Sequence, residues 1–487
     1  VSRRAAKGVG LDMVTRLSTQ DASFYFLEAS STPMHVGSLA VFRKPSNGLS
    51  YEELLCLVEE RLRLVPRYRQ KVREVALGLS RPVWVDDRDF DIEYHIRRSA
   101  LPKPGSDAQL HDLVARLTSR ALDVSRPLWE MYLVEGLSND RFAIFTKSHA
   151  SLVDGETALE ITQVILDSAQ TRPPMVEELW MPARAPSEST LIAGALAEMV
   201  SRPSEGVTAL RMTLGGMAAA LGGVMGAVGR VAAVVHAAAQ VAPVTPLNAA
   251  ISRSRRFAVA KTEVGDYRKI RANYGCEVND VILAVISGAM RNWLLSRGEP
   301  VTESTAVRAL VPMSVYATES EREDDEASGR GEWGDSRSMV SSFLIDLPVG
   351  EPNAVIRLSH LAHATEAQAM QSPRVTAKTL VRLSGFAPAT LHAMGARVAS
   401  SFSQRMFNLT ITNAPGPQMP LYVGGARMLE MYPVSPLLKN QTLSIALTSY
   451  DGDVYYGLNA DRDAMADVDV VAALLHESLE ELLDASR

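Results

Sequence analysis

The chain has 487 residues, enough for two large domains or about three of average size. Apolar residues make up 46% and charged residues 22%, which excludes global disorder and collagen-like or coiled-coil architectures. A formal net charge of −6 excludes a generally basic protein that coats nucleic acid, and only two cysteines, Cys56 and Cys276, exclude a disulfide scaffold or a Cys-rich metal or iron–sulfur site.

Residues 1–16 read as a disordered extension. Arg3, Arg4 and Lys7 make it basic, and no apolar core of the length of a secretory signal follows. Ser50–Val65 predicts a helix: Ser50 and Glu53 form a capping box, and Leu54, Leu55, Val58 and Leu62 share a face. A second helix is expected near Asp107–Ser119, from Leu110, Leu113, Val114 and Leu117. Met131–Glu135 and Arg141–Thr146 read as a hairpin around Gly136–Asp140. The second strand runs into Lys147-Ser148-His149-Ala150-Ser151-Leu152-Val153-Asp154-Gly155, with a helix expected from Glu156 to about Leu166.

Residues 173–254 form a linker, first rich in proline (Pro173, Pro174, Pro182, Pro186) and then in Ala and Gly. Its 18 residues between Arg211 and Arg230 carry no formal charge, close to the ~20 a membrane span needs. The six glycines among them favour a helix packed on protein over an interfacial helix, and either over a true span. Arg253, Arg255 and Arg256 then read as a solvated basic loop or as contacts for anionic headgroups. Farther on, helices are expected at Val278–Leu295, Ala354–Met370 and Asp467–Leu483. Strands are expected at Ala309–Tyr316, Met339–Leu347, Met406–Asn413, Thr442–Ser449 and Val454–Asn459, the last two joined at Asp451-Gly452. Thr318–Arg337 is acidic and reads as an exposed loop. Strands and helices mixed in both halves predict an α/β fold with two units in tandem.

Few segments carry chemistry. There is no Walker motif, no G-x-S-x-G and no dinucleotide fingerprint, and the Gly215–Gly229 glycines do not follow a strand. His360 and His363 share a helix face but have no carboxylate partner, so they read as a surface pair and no metal is expected. The informative segment is His149 to Gly155. A histidine at a strand end serves as a general base when a neighbour orients its ring, and an Asp-Gly in the same turn shapes the backbone. Taken alone, the segment is more often an ordinary turn.

That segment resembles the H-H-x-x-x-D-G box of the CoA-dependent acyltransferase superfamily, and the whole chain resembles the bacterial wax ester synthase/diacylglycerol acyltransferase family. Leu17-Ser18-Thr19-Gln20-Asp21-Ala22-Ser23-Phe24 is similar to the family's opening L-S-x-x-D-A-x-F. Trp84-Val85-Asp86-Asp87 with Phe90, Asp91 and His95 follows, then Leu122-Asp123 with Arg126-Pro127-Leu128-Trp129-Glu130. Asn279-Asp280-Val281, Val311-Pro312-Met313-Ser314, Asn413-Ala414-Pro415-Gly416-Pro417 and Tyr432-Pro433-Val434-Ser435-Pro436 continue the match in order, from about Leu17 to Leu483. The resemblance implies two chloramphenicol-acetyltransferase-like domains, at roughly 17–172 and 255–487, with an active-site tunnel between them. It implies transfer of a long-chain acyl group from acyl-CoA, the co-substrate, to diacylglycerol or a long-chain alcohol, with no cofactor, metal or nucleic acid. The implied setting is cytoplasmic, with peripheral contact to the inner face of the cell membrane or to lipid droplets. The second box histidine is the implied base, and the box aspartate and glycine, here Asp154 and Gly155, shape the turn. Pro127, Leu128, Trp129, Asn279 and Asp280 are implied to be structural or lining residues.

This chain departs from the pattern at the decisive position. Counting back from Asp154 puts His149 at the first histidine and Ala150 at the second, so the family's base is missing. Four explanations stand. The alanine is an introduced substitution; the chain is a silent lipid- or acyl-CoA-binding homologue; His149 serves as the base through a local backbone shift; or binding and orientation alone sustain turnover. A condensation-type enzyme with a carrier-protein donor is a further reading, disfavoured by the motifs outside the box. By resemblance, His35 and His95 have no base role.

Overall fold

The computed structural model describes residues 15–45, 49–76, 80–153, 161–170, 180–201, 242–314, 340–370, 406–414 and 416–486. Most of the N-terminal extension, Asp154 and Gly155, the uncharged 212–229 stretch and the 318–337 loop lie outside them.

Most of the described chain is organised on two six-stranded mixed sheets. The first has the order β11-β12-β1-β6-β5-β4, built from β1 (His35–Arg43), β4 (Ile96–Ala100), β5 (Trp129–Leu137), β6 (Arg141–His149), β11 (Tyr422–Val423) and β12 (Ala426–Val434). The second has the order β7-β14-β13-β10-β8-β9, from β7 (Arg255–Glu263), β8 (Val307–Ser314), β9 (Val340–Leu347), β10 (Leu409–Ala414), β13 (Leu443–Tyr450) and β14 (Asp453–Asp461). A separate ribbon pairs β2 (Gln70–Arg73) with β3 (Val83–Asp86).

The sheets repeat one plan. In each, a hairpin (β5–β6, then β13–β14) takes a parallel strand on its first arm (β4, then β10) and an antiparallel strand on its second (β1, then β7). This is the expected tandem α/β architecture, and β6 and β14 occupy equivalent places in it. Chain order and sheet membership part company at residues 422–434. They fall in the range expected for the C-terminal domain, yet β12 pairs antiparallel with β1, Gly37 opposite Val434. The first sheet is therefore completed by the second half of the chain.

Local chemistry explains the elements. Ser50 and Glu53 close the capping box of the Tyr51–Arg61 helix at 3.1 and 2.8 Å, and Ser106 with Gln109 does the same for Asp107–Thr118. The β5–β6 turn places Asn139 and Asp140 at φ 61° and 50°, and the β13–β14 turn places Asp451 and Gly452 at φ 47° and 94°. Positive φ at both central residues matches the strand twist, and Asn, Asp and Gly tolerate it best. The Val278–Ser296 helix is buried nearly all round and packs on the Val468–Ala485 helix. A Cβ on Gly288 would meet Ser478 Oγ at 2.1 Å, so glycine sets how closely the two approach. Each sheet has its own apolar core, and Phe257, Tyr450 and Tyr455 of the second half join the first core. Among the described residues no helix is long and apolar enough to cross a membrane.

Candidate active site

His149 is the last residue of β6, and a short helix, Ala150–Val153, starts at once; the expected helix start at Glu156 lies outside the described residues, and Ile161–Ile165 is helical. Both neighbouring strands hold the junction. The His149 N–H donates to Leu128 O at 2.9 Å from the β5 side, and the Ala150 N–H donates to Met34 O at 2.8 Å from the β1 side. Pro127, Leu128 and Trp129 are buried beside it, and the Trp129 indole N–H donates to Tyr68 O at 2.8 Å. The Pro-Leu-Trp motif thus supports the box from the adjacent strand.

His149 faces His35 across the β1–β6 pair, and Glu28 lies against both. Glu28 caps the C-terminus of the Thr19–Leu27 helix. Its Oε1 is 3.4 Å from His35 Nε2 and its Oε2 is 3.4 Å from His149 Nε2. Both contacts are too loosely aligned to count as hydrogen bonds, and with neutral rings they set an imidazole beside a carboxylate without pairing two charges. Both histidines are fully buried, while Glu28 is 20% exposed. Burial would raise the Glu28 carboxyl, but the two imidazoles outweigh it and bring it down to about 2, so it is ionised near neutrality. Burial also lowers His35, against the pull of Glu28, which keeps that ring neutral. The Tyr25 ring stands edge-on to His149 at 6.2 Å, and its hydroxyl donates to Glu74 at 3.2 Å.

The other side of His149 is also engaged. The Ser151 backbone N–H donates to His149 Nδ1 at 3.1 Å, and Ser151 Oγ lies 2.7 Å from the same atom. A backbone N–H can only donate, so Nδ1 carries the lone pair and the neutral ring holds its proton on Nε2, facing Glu28. The hydroxyl therefore donates as well. Neither nitrogen of His149 is left to take a proton directly from a substrate, and Ala150 has nothing to take one with. Among the described residues no three His, Cys, Asp or Glu side chains are grouped to hold a metal ion, and His360 and His363 are exposed.

Asn279 and Asp280 serve the second half. Asp280 accepts from the Glu277 N–H at 2.9 Å and from Thr365 Oγ1 at 2.6 Å, and Asn279 accepts from Asn413 Nδ2 at 2.7 Å. Among the described residues no hydrogen bond joins them to the box. A cleft of about 410 Å³ beside Asp266 and Lys269 and one of about 320 Å³ beside His111 and His476 are not lined by box residues either. Sequence reasoning missed Glu28 and Ser151 and gave His35 no role, because their meeting at His149 is set by strand register and a helix end.

Two acetyltransferase-type sheets with a His-Ala-Ser-Leu-Val-Asp-Gly segment at the end of a central strand define the class: a CoA-dependent acyltransferase fold. Residues 17–282 match the wax ester synthase/diacylglycerol acyltransferase catalytic domain and residues 338–483 match the C-terminal domain of the same family. The chain belongs to that family. It is 32% identical over 481 residues to a probable diacylglycerol O-acyltransferase of Mycobacterium tuberculosis, covering 97% of each chain. A second probable diacylglycerol O-acyltransferase of that organism is 53% identical over 266 residues, which are 54% of this chain and 98% of the relative. The wax ester synthase/diacylglycerol acyltransferase of Marinobacter aquaeolei superposes with a TM-score of 0.65 at 28% identity, covering 97% of this chain and 100% of that one. The starter condensation domain of rhizomide synthetase, at 12% identity and a TM-score of 0.54 over 98% and 95% of the two chains, shares the fold alone.

Proposed function

We propose that this chain transfers a long-chain fatty acyl group from acyl-CoA to diacylglycerol, making triacylglycerol, with long-chain alcohols as alternative acceptors. The observation that carries this reading is the box junction. The backbone of His149 and Ala150 is held from both flanking strands, and the Pro127-Leu128-Trp129 support is packed in place, although the side chain at 150 is only a methyl. The sequence likeness to the mycobacterial relatives names the acceptor class.

The reaction asks for an alkoxide, formed from the acceptor hydroxyl, to attack the thioester carbon while the CoA thiolate leaves. It needs no metal or cofactor. Long apolar chains on both substrates call for an apolar tunnel between the two halves, and for peripheral contact of a cytoplasmic protein with the inner face of the membrane or with a lipid droplet. Ala150 favours one competing reading, a homologue of the same fold that binds acyl-CoA or lipid without turnover.

The test is triacylglycerol formation from radiolabelled oleoyl-CoA and diolein, with hexadecanol as a parallel acceptor, by this chain and by Ala150→His. The expected result is measurable triacylglycerol from this chain and a gain of about 10²-fold or more in Ala150→His, the usual contribution of a positioned base. Tight binding of oleoyl-CoA with no product from this chain would establish the silent homologue.

A further inference from the structure

Among the described residues, the Ser151 hydroxyl adjoins position 150 in the chain and can still accept a proton. Its own proton is committed to His149 Nδ1 at 2.7 Å, so its rotor is fixed and its remaining lone pairs point elsewhere. His149 in turn has its Nε2 3.4 Å from an ionised Glu28. The row Ser151 Oγ, His149 Nδ1, His149 Nε2, Glu28 Oε2 is a hydroxyl, an imidazole and a carboxylate in the order that hydrolase triads use to activate a hydroxyl. The Ser151 backbone N–H, donating to Nδ1, sets the tautomer whose Nδ1 lone pair faces the hydroxyl. Ser151 is also the immediate neighbour of position 150, and the two are equally enclosed, at 3% and 4% exposure.

We propose that Ser151 takes the place of the absent base imidazole by relaying the acceptor's proton to His149, while Glu28 steadies the imidazolium. The step rests on the acyl transfer proposed above, and its atoms balance. The acceptor O–H bond breaks and its proton goes to Ser151 Oγ, as the Ser151 proton passes to His149 Nδ1. The acceptor oxygen forms the new C–O bond at the thioester carbon, the C–S bond breaks, and the thiolate of CoA leaves. The proton held on His149 returns through Ser151 to that thiolate, and the site is reset. Ser151 is regenerated without ever being acylated. Glu28 acts through His149 and is a positioning residue.

Steady-state kinetics with oleoyl-CoA and diolein test the relay in this chain, Ser151→Ala, Ser151→Thr and Ala150→His, with thermal unfolding of each as a check on folding. Ser151→Ala retains the backbone N–H that sets the His149 tautomer and removes only the hydroxyl. It is expected to lower kcat by about 10²-fold with KM for both substrates nearly unchanged. Ser151→Thr keeps a hydroxyl and is expected to recover most of that loss. In the Ala150→His background, removing the hydroxyl is expected to cost under about tenfold, since a direct base is then present. Unchanged kcat in Ser151→Ala overturns the relay, and so does a folded Ser151→Thr as slow as Ser151→Ala. An oleoyl adduct on Ser151 in the intact mass of acid-quenched enzyme also overturns it, by making Ser151 a nucleophile. Activity of this chain that survives Ser151→Ala overturns the relay alone, whereas activity confined to Ala150→His overturns both the relay and acyl transfer by this chain. Inactivity of both proteins removes the acyltransferase reading and the relay with it.

Discussion

Ala150 gives its backbone N–H to the carbonyl of Met34, 2.8 Å away and immediately before the neighbouring strand β1. The bond holds the turn through main chain, independent of the identity of the side chain at this buried position. On the proposed reading, Ala150 stands at the place of the base imidazole, with the backbone frame around it held. Small imidazole added to the assay is therefore expected to raise the rate of this chain in a saturable way and to leave Ala150→His unaffected. A rate independent of imidazole would mean that no base-sized space opens at Ala150.

Glu28 sets the acid limit of the site. Its folded carboxyl lies at about 2, against an ordinary value near 4.5. A depressed carboxyl contributes stability that is complete above its unfolded pKa and is lost as pH falls through the folded one. The loss therefore falls between about pH 4.5 and 2 and amounts to roughly 3 kcal/mol at most. Glu28→Gln is expected to flatten urea-unfolding free energy across that window and to lower kcat by about tenfold, since a neutral amide steadies an imidazolium less well. An acid-unfolding curve identical to that of the parent would remove Glu28 from the account.

His95 acts in a higher window. It is stacked between Phe90 and Trp129, with ring centroids 5.1 and 4.6 Å away, and its Nδ1–H donates to Trp129 O at 2.8 Å. Burial, against that hydrogen bond, lowers it to about 4. The unfolded chain takes up this proton first as pH drops, so stability is full above about pH 6.5 and declines toward pH 4. His95→Phe keeps the stack and loses the bond. It is expected to be about 1 kcal/mol less stable at pH 7 and to fall less steeply between pH 6.5 and 4. Parallel curves for the two proteins over that range would show that His95 is not the group titrating.

What the sequence disclosed and what it hid divide by range of interaction. The Ser50–Glu53 box, the Ala354–Met370 helix and the Asp451-Gly452 turn are each decided by neighbours within a few residues, and each is where the pattern places it. The ordered motifs pointed to the family, whose catalytic and C-terminal domains match residues 17–282 and 338–483. The pairing of β12 with β1 joins Val434 to Gly37, and no local pattern encodes it. Glu28 reaches His149 because a helix ends there and two strands align His35 opposite His149, so its part in the site became visible only in three dimensions. Ser151 was adjacent all along, but a serine at the second residue of a short helix carries no signal until the ring beside it is seen to accept from it.

The same long-range pairing makes the two halves interdependent, and Gly457 is where that can be measured. It lies in β14 of the second sheet, and a Cβ there would sit 1.8 Å from the carbonyl oxygen of Pro433 in β12 of the first. The strands approach backbone to backbone at this point, aided by Asn459 Nδ2 donating to Ser435 O at 2.7 Å. Backbone cannot swing aside as a side chain can, so Gly457→Ala has to push β12 away. Pro433 is opposite Ser38 in β1, three residues from His35, so the push is transmitted toward the Glu28–His149 cluster. Gly457→Ala is expected to cost about 3 kcal/mol, typical of overpacking, and to lower acyl transfer beyond what the unfolded fraction explains. Gly265 is the contrast: it sits in the Val264–Tyr274 helix with nothing within 4 Å of an added Cβ, and Gly265→Ala is expected to stabilise by about 0.5 kcal/mol. If Gly457→Ala is as mild as Gly265→Ala in urea unfolding, the seam is looser than its geometry states, and the second half does not brace the first.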